Sequence, residues 1–270
     1  MTKKMIALDL DGTLLHSDGS ISNYTKKTLQ AIEKQGHLPI ITTGRPYRMA
    51  LPYYQELGLT TPMINFNGAL THIPETKWMH TLSVKIDKSY LFEMLAQQKA
   101  FEINALASEY RNKFYITTLD EAIISPQLFG VEKFTAPMLL DKGKITANPN
   151  AIMFQTSSVD KYVLATEMRQ HFKDEIEINT WGGPLNILEC SPKGVNKAFA
   201  LAHLLASYKM DRKDLLAFGD EHNDTEMLDF AGVGYAMKNA SQVLLPHADK
   251  QTDFTNDEDG VAKTLETLLL

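Results

Sequence analysis

Four short apolar runs in this chain each end in a cluster of polar residues. Met5 to Leu8 leads into Asp9-Leu10-Asp11-Gly12-Thr13, and Leu38 to Thr42 into Thr43-Gly44-Arg45. Met63 to Phe66 leads into Asn67-Gly68, and Asp214 to Phe218 into Gly219-Asp220-Glu221-His222-Asn223-Asp224. A helix start, Ser191-Pro192-Lys193-Gly194-Val195-Asn196-Lys197, adds two lysines. Asp9, Asp11 and Asp220 make a hard, oxygen-only donor set, which suits Mg²⁺. A lysine, a hydroxyl and backbone N–H groups beside glycine suit a phosphate dianion. Carboxylates, Mg²⁺ and a lysine together are the parts needed to move a phosphoryl group. Taken singly, an Asp-X-Asp after a strand is more often a turn or a helix cap. Four such clusters in order, each after a strand, exceed what capping requires.

The elements that must position these clusters alternate in type. Strands are predicted at Met5–Leu8, Leu38–Thr42, Met63–Phe66, Asp214–Phe218 and Val233–Met237. Helices are predicted over Ser22–Lys34, Arg48–Leu57, Val195–Tyr208, Thr225–Ala231, Ser241–Ala248 and Asp259–Leu269. The strands are apolar on both faces, as in a parallel sheet covered on both sides. Ligands of such sheets bind beyond the carboxyl ends of the strands, where the polar clusters lie. The middle reads differently. Helices at Asp87–Lys99 and Val159–Phe172 alternate with strands at Phe101–Ala107, Lys113–Thr117, Ala151–Gln155, Glu175–Thr180 and Leu185–Leu188. The expected architecture is a three-layer, Rossmann-like α/β core with a parallel sheet, over residues 1–82 and 185–270, split by an inserted α+β cap domain over 83–184.

Composition bounds the rest. The 270 residues are 44% hydrophobic and 22% charged, which supports one large core or two modest ones. The formal charge is 27 − 33 = −6 and no basic stripe exceeds two lysines, so nucleic acid is not an expected partner. The single cysteine, Cys190, forms no internal disulfide, and no apolar stretch reaches membrane-spanning length. The expected setting is the cytoplasm, without membrane attachment; oligomeric state is unreadable.

The motifs together resemble the haloacid dehalogenase superfamily of phosphatases. DLDGT at Asp9–Thr13, ITTGR around Thr43, GVNKAFAL around Lys197 and GDEHNDTEML with Asp220 and Asp224 match its four motifs. FNGA at Phe66–Ala69 and DGVAKTL at Asp259–Leu265 resemble the Cof-type branch, whose large α/β cap lies between the second and third motifs. The resemblance implies Asp9 as nucleophile, forming an aspartyl-phosphate, and Asp11 as general acid and then base. It implies Thr43 as a hydrogen-bond donor to the phosphoryl group and Lys197 as the cation neutralising Asp9 and phosphate. Asp220 would bind Mg²⁺ with Asp9, Asp224 and the main-chain carbonyl of Asp11. Leu10, Gly44 and Asn223 would line the phosphate. The implied activity is Mg²⁺-dependent hydrolysis of a small phosphorylated metabolite, such as a sugar phosphate or phosphorylated cofactor. A phosphomutase or phosphotransferase sharing the nucleophile, and a non-catalytic phosphometabolite sensor, are the rival readings.

Other residues carry weaker signals. Lys193 competes with Lys197 and reads as solvated. Arg45 either orders the site or makes a structural ion pair, and Asn67 either lines the pocket or caps its strand. His222 reads as a rim residue, since no metal-binding histidine pattern is present. Cys190 reads as an inert thiol. Trp181-Gly182-Gly183 is either a hinge or a plain hairpin turn, and Tyr110-Arg111 is a cap turn that could touch substrate.

Overall fold

The computed structural model describes residues 2–181 and 185–270. The chain divides into two compact units. One comprises residues up to Arg45, Ala50–Leu82 and Asn196–Leu270; the other comprises Pro46–Met49 and Ser83–Val195.

The first unit opens with β1 (Met5–Leu8), α1 (Asn23–Lys34), β2 (Leu38–Ile41) and α2 (Tyr47–Leu57). Ser22 caps α1 by accepting from Thr25 N–H at 3.0 Å. Next come β3 (Met63–Asn65), β4 (Leu70–His72) and β5 (Leu82–Ser83), which form a small separate sheet. The second unit holds α3 (Lys88–Ala96), β6 (Ile103–Tyr110), β7 (Lys113–Ile116), β8 (Ala151–Thr156), α4 (Lys161–His171), β9 (Ile176–Thr180) and β10 (Ile187–Pro192). The chain then returns through α5 (Lys197–Tyr208), β11 (Leu215–Gly219), α6 (Thr225–Phe230), β12 (Val233–Ala236), β13 (Lys250–Gln251) and α7 (Gly260–Leu269).

The central sheet of the first unit is parallel, with strand order β13-β12-β11-β1-β2. Successive side chains of a strand face opposite ways. Met5 and Ala7 therefore join Ile40, Leu215 and Ala217 on one face, packed against Leu201 and Leu204 of α5 and Met227 and Leu228 of α6. On the other side α1 packs on α7, burying Leu29, Ile32, Ala262 and Leu265. Because β1 and β11 run side by side in register, Leu8 opposite Phe218, the loops that follow them emerge together.

The second unit is an antiparallel sheet of order β7-β6-β8-β10-β9. Its Leu106, Ile152, Phe154 and Leu188 bury against α3 and α4. Ala107, Phe114, Ile116 and Met153 face Phe129 and Phe134 from the long excursion between β7 and β8.

Three expectations need correction. The return to the core does not begin at residue 185, because Ile187–Pro192 pairs with β8 and β9 in the second unit's sheet. Ser241–Ala248 is not a helix. It holds one short turn, Leu245–His247, because Pro246 lacks an N–H and its ring clashes with the carbonyl four residues back. The third strand extends the parallel sheet by a single bridge, Thr42 to Ile64, and then turns into an antiparallel hairpin with β4. The glycines of the expected hinge, Gly182 and Gly183, and the expected cap end at 184 lie outside the described residues. No helix among the described residues is long and apolar enough to cross a membrane.

Candidate active site

The site is built where β1 and β11 end. Asp9 N–H still donates to Phe218 O at 3.1 Å, so Asp9 is fixed as the last residue held by the sheet. The chain then makes a wide turn, closed by Leu15 N–H donating to Leu10 O at 2.8 Å. Gly12 sits in that turn at φ +67°, a conformation that side chains disfavour. A Cβ there would also collide with the Asp220 carboxylate. One residue further on, Thr13 hydroxyl donates to Asp220 Oδ1 at 3.0 Å.

Lys197 is the first residue of α5, and its helix start is fixed from two sides. Asn196 Oδ1 accepts from Phe199 N–H at 2.9 Å, and Gly68 lies so close to Asn196 O that a Cβ would overlap it. The Lys197 side chain is fully buried. Its Nζ lies 2.7 Å from Asp9 Oδ1 and 2.6 Å from Asp224 Oδ1. The other Asp224 oxygen accepts from the backbone N–H groups of Asp220 at 3.0 Å and Glu221 at 3.3 Å, which ties the loop after β11.

Asp9, Asp220 and Asp224 each offer a carboxylate oxygen within 4.8 Å of the others. Three carboxylates are thus gathered beside one ammonium, which bonds Asp9 and Asp224. Burial pushes Asp9 well above the ordinary carboxylate range against the pull of Lys197, and Asp224 and Asp220 add to the push. Asp220 is pushed up to about 7 by burial and by Asp224. Burial works against the Lys197 charge, but Asp224 and Asp9 outweigh it and raise the ammonium above its usual range. Such a cluster is short of positive charge, and its donors are all oxygen. Both facts fit a hard divalent cation.

Asp11 stands apart from this cluster. Its carboxylate is 60% exposed and accepts from Arg45 Nε at 2.8 Å and from Arg45 Nη2. Thr43 is buried, and its hydroxyl oxygen accepts from Arg45 N–H at 3.0 Å. Gly44 lies against the Asn67 side chain, whose Oδ1 accepts from Asn223 Nδ2 at 3.3 Å. Asn67 holds φ +51°, in the left-handed region that asparagine tolerates. The structure therefore gathers Asp9, Lys197, Asp220 and Asp224 at one point, and Thr43, Gly44, Asn67 and Asn223 at another within the same unit.

Two further residues that the sequence motifs give no role, Thr13 and Asn239, take part in the site. Asn239 Nδ2 donates to Gly12 O at 2.8 Å and so braces the turn after Asp9. Thr13 was legible within DLDGT, whereas nothing in the sequence singles out Asn239. Lys193 is exposed and sits 3.4 Å from Glu177. His222 is exposed beside Glu221. Cys190 is buried on β10, and burial pushes its thiol far above the usual range, which disfavours the reactive thiolate. Arg111 occupies the β6–β7 turn at φ +52°, its N–H donating to Asn150 Oδ1 at 3.1 Å.

The sequence profile of the haloacid dehalogenase-like hydrolases matches residues 6–265. A 5-amino-6-(5-phospho-D-ribitylamino)uracil phosphatase of Bacillus subtilis, YitU, is 32% identical over 97% of this chain and 96% of its own. Phosphatase YwpJ of the same organism is 29% identical over 98% of this chain and all (100%) of its own. A haloacid dehalogenase-like hydrolase from Bacteroides thetaiotaomicron superposes with a TM-score of 0.83 at 26% identity, covering 99% of this chain and 100% of that one. With three of the four motifs at the ends of parallel strands and the Lys197 motif at the start of α5, and a match over nearly the full length, the chain belongs to the haloacid dehalogenase-like hydrolases.

Proposed function

We propose that this protein hydrolyses small phosphomonoesters through an aspartyl-phosphate on Asp9, with Mg²⁺ as cofactor. At the coarser level the chain is a phosphoric monoester hydrolase of its family. The observation that carries the finer reading is the buried Lys197 ammonium at 2.7 Å from Asp9, beside two further carboxylates. A carboxylate attacks a phosphate dianion only if the charge repulsion between them is offset. Lys197 supplies part of that offset, and Mg²⁺ held by Asp9, Asp220 and Asp224 would supply the rest by drawing charge from the phosphoryl oxygens.

In this reading an Asp9 oxygen attacks phosphorus as the bond to the leaving oxygen breaks. Asp11 gives its proton to that oxygen, which departs as the alcohol. Asp11, now a carboxylate, takes a proton from water as the water attacks phosphorus. The bond from phosphorus to Asp9 breaks, leaving inorganic phosphate and the original carboxylate. The Thr43 oxygen already accepts from Arg45 N–H, so its own proton is available to the phosphoryl group, with Asn223 and the Gly44 N–H alongside. The phosphatase relatives of Bacillus subtilis that act on a phosphoribitylaminouracil support a small polyol or sugar phosphate as the substrate class.

The test is phosphate release from a panel of esters, with Mg²⁺ or with chelator. The panel holds a sugar phosphate, a phosphoribitylamino-pyrimidine and an aryl phosphate. Wild type should release phosphate only with the metal, and D9N should lose at least about 1,000-fold in kcat. Activity of D9N near the wild-type level would remove Asp9 as nucleophile. Transfer to an added alcohol in preference to water would move the reading to a phosphotransferase.

A further inference from the structure

Both oxygens of Asp11 rest on one guanidinium, and that guanidinium is held at both ends. At its backbone, Arg45 N–H donates to Thr43 hydroxyl at 3.0 Å, and Arg45 O accepts from Phe66 N–H at 3.3 Å and Asn65 Nδ2 at 3.2 Å. Asn65 is fully buried, and its own Oδ1 lies 3.1 Å from His72 Nε2. At its tip, Arg45 lies 5.2 Å from the ring centroid of Tyr53 on α2, and Nη1 donates to Tyr53 OH at 3.4 Å. The Arg45 side chain is 24% exposed, whereas Asp11 is 60% exposed. The arginine is thus the fixed member of the pair and the aspartate the movable one. A planar fork of this kind dictates the plane and direction of the carboxylate it holds, which a lysine does not.

We propose that Arg45, braced by Tyr53, is the positioning residue for Asp11. It stations the ionised carboxylate between turnovers; when the pair opens, one Asp11 oxygen takes a proton from solvent and carries it to the leaving group, and the proton later gained from the attacking water returns to solvent as the pair re-forms. With both oxygens accepting from the guanidinium, neither can meet a leaving group, so the bidentate pair opens in each cycle. A half-exposed pair is weak enough in water to do so. This inference rests on the reading of Asp11 as the proton donor. The test separates the two.

An aryl phosphate with a good leaving group departs without a proton, whereas an alkyl phosphate needs one. Substitutions that misplace the acid should therefore widen the gap between the two esters. D11N should lower kcat/KM for the alkyl ester about 100-fold more than for the aryl ester. R45Q should widen the same gap about tenfold, mainly through kcat, and R45K should recover only part of it because a lysine has no fork. Y53L, which removes the brace on Arg45 and leaves the guanidinium in place, should widen the gap in the same direction but less, about threefold. The double variant D11N/R45Q should be no more selective than D11N alone, since both changes act through one group. Equal losses on both esters in D11N would overturn the acid–base reading itself. A selective D11N with an unselective, folded R45Q, or additive selectivities in the double variant, would overturn the positioning role alone. If R45Q does not fold, an unselective Y53L overturns that role in its place.

Discussion

Lys197 is the side chain on which the buried charge of the site depends. It is fully buried between Asp9 and Asp224, at 2.7 and 2.6 Å, and the two carboxylates are themselves buried. Breaking a buried pair by removing one partner leaves an uncompensated charge, which costs roughly 3–5 kcal/mol. K197M should therefore lower the unfolding free energy of the metal-free protein by roughly that amount, besides losing turnover. Urea denaturation at neutral pH reads this directly, and a loss under about 1 kcal/mol would mean that the carboxylates take up protons at little cost. Lys197 was legible because it sits at a fixed offset inside GVNKAFAL, whereas Lys193, four residues earlier, is chemically identical and is separated only by where the helix begins. Asp11 was legible as a carboxylate but not as a partner of Arg45. An ion pair formed 34 residues apart leaves no local pattern.

Strand β6 carries a charge that takes no part in the phosphoryl chemistry. Glu109 is 1% exposed, and Arg48 meets it with both Nε at 3.2 Å and Nη2 at 2.6 Å, its guanidinium lying 4.8 Å from the Phe114 ring centroid. Burial pushes Glu109 from 4.5 up to about 7 in spite of Arg48. The folded protein therefore keeps a proton that the unfolded chain releases between pH 4.5 and about 7. This contribution is fully present below the unfolded value and is lost as pH rises through the folded one. Wild type should lose up to roughly 3 kcal/mol more stability than E109Q between pH 4.5 and pH 8. Parallel pH slopes for the two proteins would show that Arg48 keeps Glu109 ionised throughout. Neither the pair nor its effect was legible at the level of the element, because a glutamate in an alternating strand reads as solvent-facing. The same ambiguity explains the other misses. β10 opens on the apolar pair Ile187-Leu188, which a core strand could equally carry, so its sequence does not say which sheet it joins. The excursion between β7 and β8 has no period to read, yet it supplies Phe129 and Phe134 to a core. The parallel strands were legible because burial on both faces writes them as unbroken apolar runs.

At the scale of the whole molecule, the chain passes between its two units after Arg45, Met49, Leu82 and Val195, and each unit buries a core of its own. All of the residues assigned to phosphoryl chemistry lie in the first unit, on a chain whose net charge is already −6. In the proposed reading a divalent cation at Asp9, Asp220 and Asp224 would relieve the excess of carboxylate over ammonium there, and it would bind only where the fold assembles the three. Binding to the folded state alone stabilises it by RT ln(1 + [L]/Kd), about 2.7 kcal/mol at 100 times Kd. Calorimetry with and without Mg²⁺ should therefore raise the transition that melts the first unit. D220N, which keeps the shape but removes one charged donor, should lose most of that rise. Ca²⁺, larger and less strict in geometry, distinguishes a shaped site from a general acidic surface: a surface effect would give equal shifts for both ions and would survive in D220N. If the two units melt as one cooperative transition, Mg²⁺ moves the whole of it. If they melt apart, only the transition holding Asp220 moves, because the second unit gains nothing from an ion that none of its residues binds.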